Sequence, residues 1–263
     1  MHVALPLLPG SVRFAVIGDA GTGSRWQHEV GQRMTDARAR FPFTFVMMVG
    51  DNLYGSQGPE DFARKFERPY RALLDAGVLF YAALGNHDEA AAQLRYEPFN
   101  MRGERYYTVR EGPVEFFVLD STELDPEQIE WFERRLLESG AAWKIAILHH
   151  PLYSSGGRHG SQAGVRAILE PVLVEHGVAA VFSGHDHFYE RIHPQRGIVY
   201  FVCGGGGKLR RGDIRDTPLT AAGFDHDRSF LIAEIAGDAM YFQAFSRAGW
   251  TIDAGRISRR VTG

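Results

Sequence analysis

The chain has 263 residues, of which 44% are hydrophobic and 23% are charged, and its formal net charge is −3 at pH 7. This composition is ordinary for a soluble globular enzyme and excludes a disordered or fibrous protein. The small net charge gives no indication of a nucleic-acid-binding surface, and no stretch approaches the roughly 20 apolar residues of a membrane-spanning helix.

Predicted strands and helices alternate along most of the chain. In chain order they are a strand at 14–17, a helix at 22–40, a strand at 45–49, a helix at 59–76 with Pro59 in its first turn, and a strand at 78–84. There follow an antiparallel pair at 106–109 and 114–119, a helix at 126–139, a strand at 145–148, a helix at 161–176 ended by Gly177, and a strand at 179–182. A hairpin is predicted at 229–236 and 240–245. We therefore expect an α/β fold of two packed, largely parallel sheets with helices outside.

No repeat, low-complexity segment or linker divides the sequence, so we expect residues 1–263 to form a single catalytic domain. Cys203 is the only cysteine, which excludes an intrachain disulfide, and its apolar surroundings predict a buried, inert thiol. Residues 1–9 lack a basic start and contain two prolines, which is not typical of a secretory signal. Two locations stay open: the cytoplasm, or the periplasm or cell exterior if a signal preceded Met1.

Five of the predicted strands end at residues that can bind a hard metal ion. The residues that follow these strands include, in order, Asp19, Asp51, Asn86, His149 and the pair His185 and His187. Because ligands bind at the carboxyl ends of parallel strands, we expect these side chains to meet at one place. Carboxylate, amide and imidazole donors together favour a pair of transition-metal ions.

Each of these motifs also has a plainer explanation when it is taken alone. A Gly-Asp pair is a common turn after a strand, and two neighbouring loop histidines often lie on the surface. Two glycine-rich stretches are similar to nucleotide-binding loops, but 18–23 has the wrong spacing and 204–208 is followed by Leu209 in place of Ser or Thr. Only the coincidence at five strand ends favours a metal site.

The same residues resemble a known family. Gly18-Asp19-Ala20-Gly21, Gly50-Asp51-Asn52-Leu53-Tyr54, Gly85-Asn86-His87-Asp88, His149 before Pro151, and Gly184-His185-Asp186-His187 resemble, in order, the signature blocks of the calcineurin-like metallophosphoesterases. Gly21 in place of a histidine, together with Tyr54, resembles the purple acid phosphatases within that superfamily. No β-sandwich module precedes the first block, so the chain is similar to the small, catalytic-domain-only form.

The resemblance implies a four-layer α/β/β/α sandwich of two mixed sheets flanked by helices. It also implies two metal ions that share Asp51, the first bound by Asp19, Tyr54 and His187, and the second by Asn86, His149 and His185. A phenol ionises readily only beside a strong Lewis acid, so Tyr54 favours Fe³⁺ at the first position. The neutral Asn86 favours a divalent ion, Zn²⁺, Fe²⁺ or Mn²⁺, at the second.

The implied reaction is the hydrolysis of a small-molecule phosphate monoester by a metal-activated hydroxide. His87, beside Asn86, is expected to contact the phosphate or the leaving group, with Asp88 orienting its ring. His159 resembles the family's second substrate-facing histidine, but its loop is one residue longer than expected, so an exposed histidine without function stays an alternative.

Neighbouring residues receive structural interpretations. His150 is expected to point away from His149, because successive residues of an extended chain face opposite sides. Glu190 and Arg191 are expected to pair with each other. Two other functions stay open: a phosphodiesterase acting on nucleotides or phospholipid-derived esters with the same metals, and a non-catalytic phosphate- or metal-binding module.

Overall fold

The computed structural model describes residues 1–259. The strands of these residues are β1 Val12–Ile17, β2 Phe45–Met48, β3 Leu79–Ala82, β4 Tyr107–Glu111, β5 Val114–Val118, β6 Trp143–Ile147, β7 Ala180–Ser183, β8 Tyr189–Ile192, β9 Val199–Cys203, β10 Thr220–Phe224, β11 Ser229–Ala236, β12 Ala239–Ser246 and β13 Thr251–Ser258. Their α-helices are α1 Arg25–Arg38, α2 Pro59–Phe62, α3 Arg68–Asp75, α4 Ala90–Gln93, α5 Pro126–Glu138 and α6 Ala163–Glu175. A π-helical turn, Ala63–Glu67, joins α2 to α3, and a 3₁₀ turn spans Glu97–Phe99.

The strands form two mixed sheets. The first has six strands in the order β13-β12-β11-β1-β2-β3, and the second has seven in the order β10-β8-β9-β7-β6-β5-β4. The pairs among β1, β2 and β3 are parallel, as are those of β5 with β6, β6 with β7 and β7 with β9. The other pairings are antiparallel. The expectation of largely parallel sheets therefore holds only in part: every strand that precedes a predicted ligand has at least one parallel neighbour, but the outer strands are mostly antiparallel.

Three apolar layers account for the packing. Along β1, Phe14 and Val16 pack between the two sheets, whereas Ala15 and Ile17 face α1 and α3 on the outer side. A third cluster, which includes Phe132, packs α5 and α6 against the outer face of the second sheet. Because side chains alternate between the faces of a strand, a strand covered on both faces is apolar throughout. The four-layer α/β/β/α arrangement is thus confirmed.

The predicted helices are present and are up to three residues shorter at either end, but the one predicted at 59–76 is divided into α2, the π-helical turn and α3. Helix α1 begins after Ser24, whose hydroxyl accepts a hydrogen bond from the Gln27 amide, which defines its start more closely than the apolar pattern does. The predicted hairpin is present as β11 and β12, and Cys203 is buried as expected. Strands β8, β9, β10 and β13 were not predicted; β10 and β13 lie at sheet edges and carry polar residues and glycine.

The expected pairing of Glu190 with Arg191 is wrong, because neighbouring residues of β8 point to opposite faces. Glu190 accepts hydrogen bonds from the Ser155 amide and the Thr220 hydroxyl. Arg191 instead donates to Asp253 of the other sheet, over 2.8 and 3.2 Å, and the buried Tyr189 hydroxyl donates to the same carboxylate over 2.7 Å. This carboxylate therefore joins the two sheets.

We predict that Asp253→Ala lowers the free energy of unfolding by about 1–3 kcal/mol, because it leaves the buried Tyr189 hydroxyl and the Arg191 guanidinium without their acceptor. Urea denaturation measures the change. The matched control is Asp238→Ala, whose carboxylate is 73% exposed and, within residues 1–259, pairs only with Arg259, so its effect should stay within about 0.5 kcal/mol. Equal effects in the two variants would contradict the cross-sheet role.

Candidate metal centre

The carboxyl ends of β1, β2 and β3 in one sheet face those of β6 and β7 in the other. Hydrogen bonds donated by backbone amides join the loops that follow these strands. The His185 amide donates to Asp19 Oδ2 over 2.9 Å, and the His87 amide donates to Asp51 Oδ1 over 2.9 Å. The Gly184 amide donates to the His149 carbonyl, also over 2.9 Å. The seven predicted ligand residues are thereby brought to one place.

Three of these side chains form a first cluster. The Tyr54 hydroxyl lies 3.0 Å from Asp19 Oδ1 and 3.2 Å from His187 Nε2. His187 Nε2 is 3.3 Å from the same Asp19 oxygen. Phenol, carboxylate and imidazole therefore converge on one point, as the first ligand set requires.

A second cluster lies beside the first. Asn86 Oδ1 is 3.0 Å from both His149 Nε2 and His185 Nδ1, and these two nitrogens are 3.2 Å apart. Asp51 Oδ1 lies 3.4 Å from His149 Nε2. Ligand atoms of Asp19, Asp51 and His149 also lie within 4.8 Å of one another, so Asp51 lies between the two clusters.

The protonation of His149 fits a metal site. Its Nδ1 lies 2.9 Å from the Val49 carbonyl, and because a carbonyl only accepts, Nδ1 carries the proton. Nε2 then presents a lone pair to the Asn86 oxygen, which is also an acceptor. Burial and the neighbouring histidines lower the pKa of His149, and they lower that of His185 to about 2, so both rings are neutral. A cation between these atoms would satisfy the facing lone pairs.

The two carboxylates fit the same interpretation. Asp51 Oδ2 is buried and has no hydrogen-bond partner among the described residues. Burial, and after it the charge of Asp51, raise the pKa of Asp19. Two buried like charges are costly unless a cation lies between them. The donor set and its charge therefore fit bound metal ions.

The backbone at the ligands is held in an unusual conformation. Asp19, Asp51 and His185 have φ angles of 53°, 51° and 71°, in the left-handed region that residues other than glycine rarely adopt. Gly50, just before Asp51, has a φ of 87°, and a Cβ there would lie 2.5 Å from His149 Nδ1. Such strain persists only where surrounding contacts fix it, and here it directs ligand side chains inward.

Gly21 lets the Tyr54 loop come close. A Cβ on Gly21 would lie 1.8 Å from the Asn52 carbonyl oxygen, and the Tyr54 amide donates to the Gly21 carbonyl over 3.0 Å. Gly21 has no side chain that could bind a metal ion. Its small size lets the following loop approach, and Tyr54 of that loop can supply the missing donor.

The two expected catalytic histidines lie at the edge of the centre. The His87 ring is 4.9 Å from the Tyr54 ring, and the His159 ring is 4.2 Å from the His185 ring. Both side chains are exposed, so both can reach a bound substrate. Their roles stay predictions.

Two expectations about neighbouring side chains are wrong. His150 does not point away: its ring is 4.6 Å from that of His185, because the chain leaves the extended conformation after Ile147 and bends. Asp88 does not orient the His87 ring, because its carboxylate accepts from the amides of Gly85 and Leu53 and from three further N–H groups. Asp88 instead joins the loop that follows β2 to the loop that follows β3.

Sequence reasoning missed two supporting residues. Asp186 Oδ2 accepts from the Ser154 hydroxyl over 2.6 Å and from the Gly160 amide over 3.1 Å, and so holds the loop that carries His159. Lys65, which is 4% exposed, donates to the carbonyls of Tyr54 and Ser56. Lys65 lies in the π-helical turn, and no local motif indicates its distant partners.

Comparison with known proteins is consistent with this geometry. The family model of the calcineurin-like phosphoesterases matches residues 12–189. Purple acid phosphatase 17 of Arabidopsis thaliana is 31% identical over 247 residues, which are 80% of this chain and 72% of the relative. Tartrate-resistant acid phosphatase type 5 of Oryctolagus cuniculus is 26% identical over 78% of each chain.

The fold is similar to that of GAP50, described as the anchor in the inner membrane complex of Plasmodium, with a TM-score of 0.84. The two share 19% sequence identity, over 95% of this chain and 90% of the other, so the likeness concerns the fold alone. Within residues 1–259, every helix is too short or too polar to span a membrane.

We predict that Gly21→Ala lowers the free energy of unfolding by at least about 2 kcal/mol, because the added methyl group meets backbone atoms that cannot move aside cheaply. Urea denaturation of chelator-treated protein measures this. The control is Gly164→Ala in α6, where an added Cβ meets open space and should stabilise the protein by up to about 1 kcal/mol. Similar stabilities of the two variants would contradict the close approach of the two loops.

Proposed function

Because the chain belongs to the calcineurin-like phosphoesterase family and is of the purple acid phosphatase type, we propose that it hydrolyses phosphate monoesters at a dinuclear metal centre. Metal-dependent hydrolysis of phosphoesters follows from the family itself. The observation that carries the finer proposal is the pair of adjoining ligand clusters that meet at Asp51, whose second carboxylate oxygen is buried and has no hydrogen-bond partner in the described part of the chain.

The proposed ligand sets follow the two clusters. Asp19, Tyr54 and His187 would hold the first ion, and Asn86, His149 and His185 the second, with Asp51 between them. A phenol donor supports Fe³⁺ at the first position, because a trivalent ion stabilises the phenolate best. The neutral amide supports a divalent ion at the second. Bound there, the two ions would lower the pKa of an attacking water molecule and stabilise the charge of the phosphoryl oxygens.

The protein's own contribution is to orient and to transfer protons. The Val49 carbonyl fixes the tautomer of His149, and the backbone amides of His185 and His87 fix the carboxylates of Asp19 and Asp51. These contacts hold the donors in place before substrate binds, which avoids reorganisation during the reaction.

His87 and His159 are the candidates to contact the substrate. Both lie within ring-contact distance of a proposed ligand, and both are exposed on the open side of the centre. A histidine there can donate a hydrogen bond to the phosphate or a proton to the departing alkoxide. His150, with Nδ1 3.0 Å from the Ser121 hydroxyl, lies behind His185 and is proposed to support it.

We predict that Asp51→Asn lowers kcat/KM for p-nitrophenyl phosphate by more than about 100-fold and lowers metal content. Loss of residues that merely support a ligand already costs about 10- to 100-fold, and Asp51 would serve both ions. The control is Asp75→Asn, an exposed carboxylate on α3. The same assay compares p-nitrophenyl phosphate with bis-p-nitrophenyl phosphate; faster diester hydrolysis would contradict the monoesterase proposal, and full activity of Asp51→Asn would contradict the shared ligand.

We also predict that the Fe³⁺-loaded protein has a visible phenolate-to-iron charge-transfer band that Tyr54→Phe abolishes, because the band requires a phenolate ligand. Absorption spectra with iron quantified in the same samples test this. Tyr96→Phe, which removes a hydroxyl bound to Glu67, is the control and should keep the band. A colourless protein that is fully active with divalent ions alone, and unchanged by Tyr54→Phe, would overturn the iron assignment.

A further inference from the structure

Residues 208–215, which we call the cationic segment, lie beside the candidate metal centre. The segment holds four cationic residues and one carboxylate, since it reads Lys208, Leu209, Arg210, Arg211, Gly212, Asp213, Ile214 and Arg215.

The backbone anchors this segment to the centre at both ends. The Lys208 amide donates to the Asp19 carbonyl over 2.9 Å, and the Arg210 amide donates to the His187 carbonyl over 3.0 Å. Further along, the Arg215 amide donates to the Ser155 carbonyl over 2.8 Å, at the loop that carries His159. The segment therefore runs from one proposed metal ligand to the substrate-facing loop.

The Lys208 ammonium group lies at the centre without a negative partner. Its Nζ is 4.4 Å from the centre of the Tyr54 ring, and no carboxylate within residues 1–259 forms an ion pair with it. The Tyr54 hydroxyl, at the far end of that ring, is the atom that faces Asp19 and His187. The Lys208 ammonium group therefore lies over the face of the Tyr54 ring and not at the point where the donor atoms of Tyr54, Asp19 and His187 meet.

The Arg210 guanidinium is also incompletely paired. Its Nη1 is buried and has no hydrogen-bond partner among residues 1–259, and Asp213 Oδ2, a carboxylate oxygen 4.0 Å away, has none there either. Because the Arg210 amide is bonded to the His187 carbonyl, this residue lies beside a proposed ligand of the first ion.

We infer that Lys208 and Arg210 bind a second anionic group of the substrate, so that this phosphatase prefers phosphate esters or anhydrides that carry a further phosphate or carboxylate beside the phosphoryl group that is cleaved. The inference rests on the proposed function. Two cations without full partners, set to one side of the ligand atoms, match an anion that is attached to the reacting phosphate but distinct from it.

A purely structural role makes a different prediction. An ammonium group above an aromatic ring stabilises that ring, and loss of this contact would disturb Tyr54 for every substrate alike. A contact with a second anion affects only substrates that carry one. The two roles are therefore distinguished by the ratio of kcat/KM for a substrate with a second anionic group to kcat/KM for a substrate without one.

The first experiment compares kcat/KM for p-nitrophenyl phosphate, adenosine diphosphate and phosphoenolpyruvate at fixed ionic strength, using the metal-loaded protein. We expect Lys208→Met and Arg210→Gln each to lower kcat/KM for the doubly anionic substrates by about tenfold relative to p-nitrophenyl phosphate, mainly through KM. Lys208→Arg should keep the preference. A larger loss for adenosine diphosphate than for phosphoenolpyruvate identifies the second group as a phosphate, and the reverse identifies a carboxylate.

The second experiment needs no turnover. Calorimetry compares the binding of methylenediphosphonate, a pyrophosphate analogue whose P–C–P bridge is not hydrolysed, with that of inorganic phosphate. In the unmodified protein we expect the diphosphonate to bind more tightly than phosphate, and we expect Lys208→Met or Arg210→Gln to reduce this preference in Kd about tenfold. The matched control is Arg211→Gln, since Arg211 is exposed and donates to the His226 carbonyl, away from the centre.

The outcomes separate the two proposals. Equal losses for all three substrates, together with an unchanged Kd ratio, would overturn the role of the cationic segment while leaving the phosphatase proposal intact. Absent hydrolysis of p-nitrophenyl phosphate by the unmodified protein, with the Kd ratio still dependent on Lys208, would overturn the proposed function and support the anion subsite.

Discussion

Two buried carboxylates, Asp19 and Asp51, are the constraint on which the rest of the structure depends. They follow neighbouring strands of one sheet, and two ligands from the loops of the other sheet, His149 and His185, are neutral. Nothing at the interface of the sheets within residues 1–259 offsets this negative charge by an ion pair with lysine or arginine. The fold therefore concentrates an unpaired negative charge where two sandwiched sheets meet, which is the environment that a multivalent cation stabilises.

The loops around these carboxylates obey a second constraint, close backbone approach. Gly21 and Gly50 stand where a Cβ would meet the backbone of the next loop or the ring of His149. Three ligands accept left-handed backbone angles in the same region. Packing of the hydrophobic layers on either side of each sheet stabilises the fold. This stability offsets the backbone strain at the three ligands, whose donor atoms point inward.

The outer rim has a different character from the buried centre. His87 and His159 are exposed, Lys208 and Arg210 lack full partners, and Asp186 holds the intervening loop by accepting two hydrogen bonds. Buried acids with a basic rim suit a substrate that is itself anionic, since the rim attracts the ester and the centre polarises its phosphoryl group.

The amino-acid pattern by itself determined which strands are buried on both faces and which polar residues follow them, because apolar runs and their ends depend on neighbouring residues along the chain. Two packed sheets with helices outside, and the convergence of Asp19, Asp51 and His149, could be predicted on that basis, whereas the four-layer sandwich was implied by the family resemblance. The bend that turns His150 toward His185, the partner of Arg191 in the opposite sheet, and the contacts of Lys65 and Lys208 were decided only by the tertiary structure. These contacts join residues of different structural elements or follow from a local departure from extended backbone, and neither leaves a periodic signal in the chain.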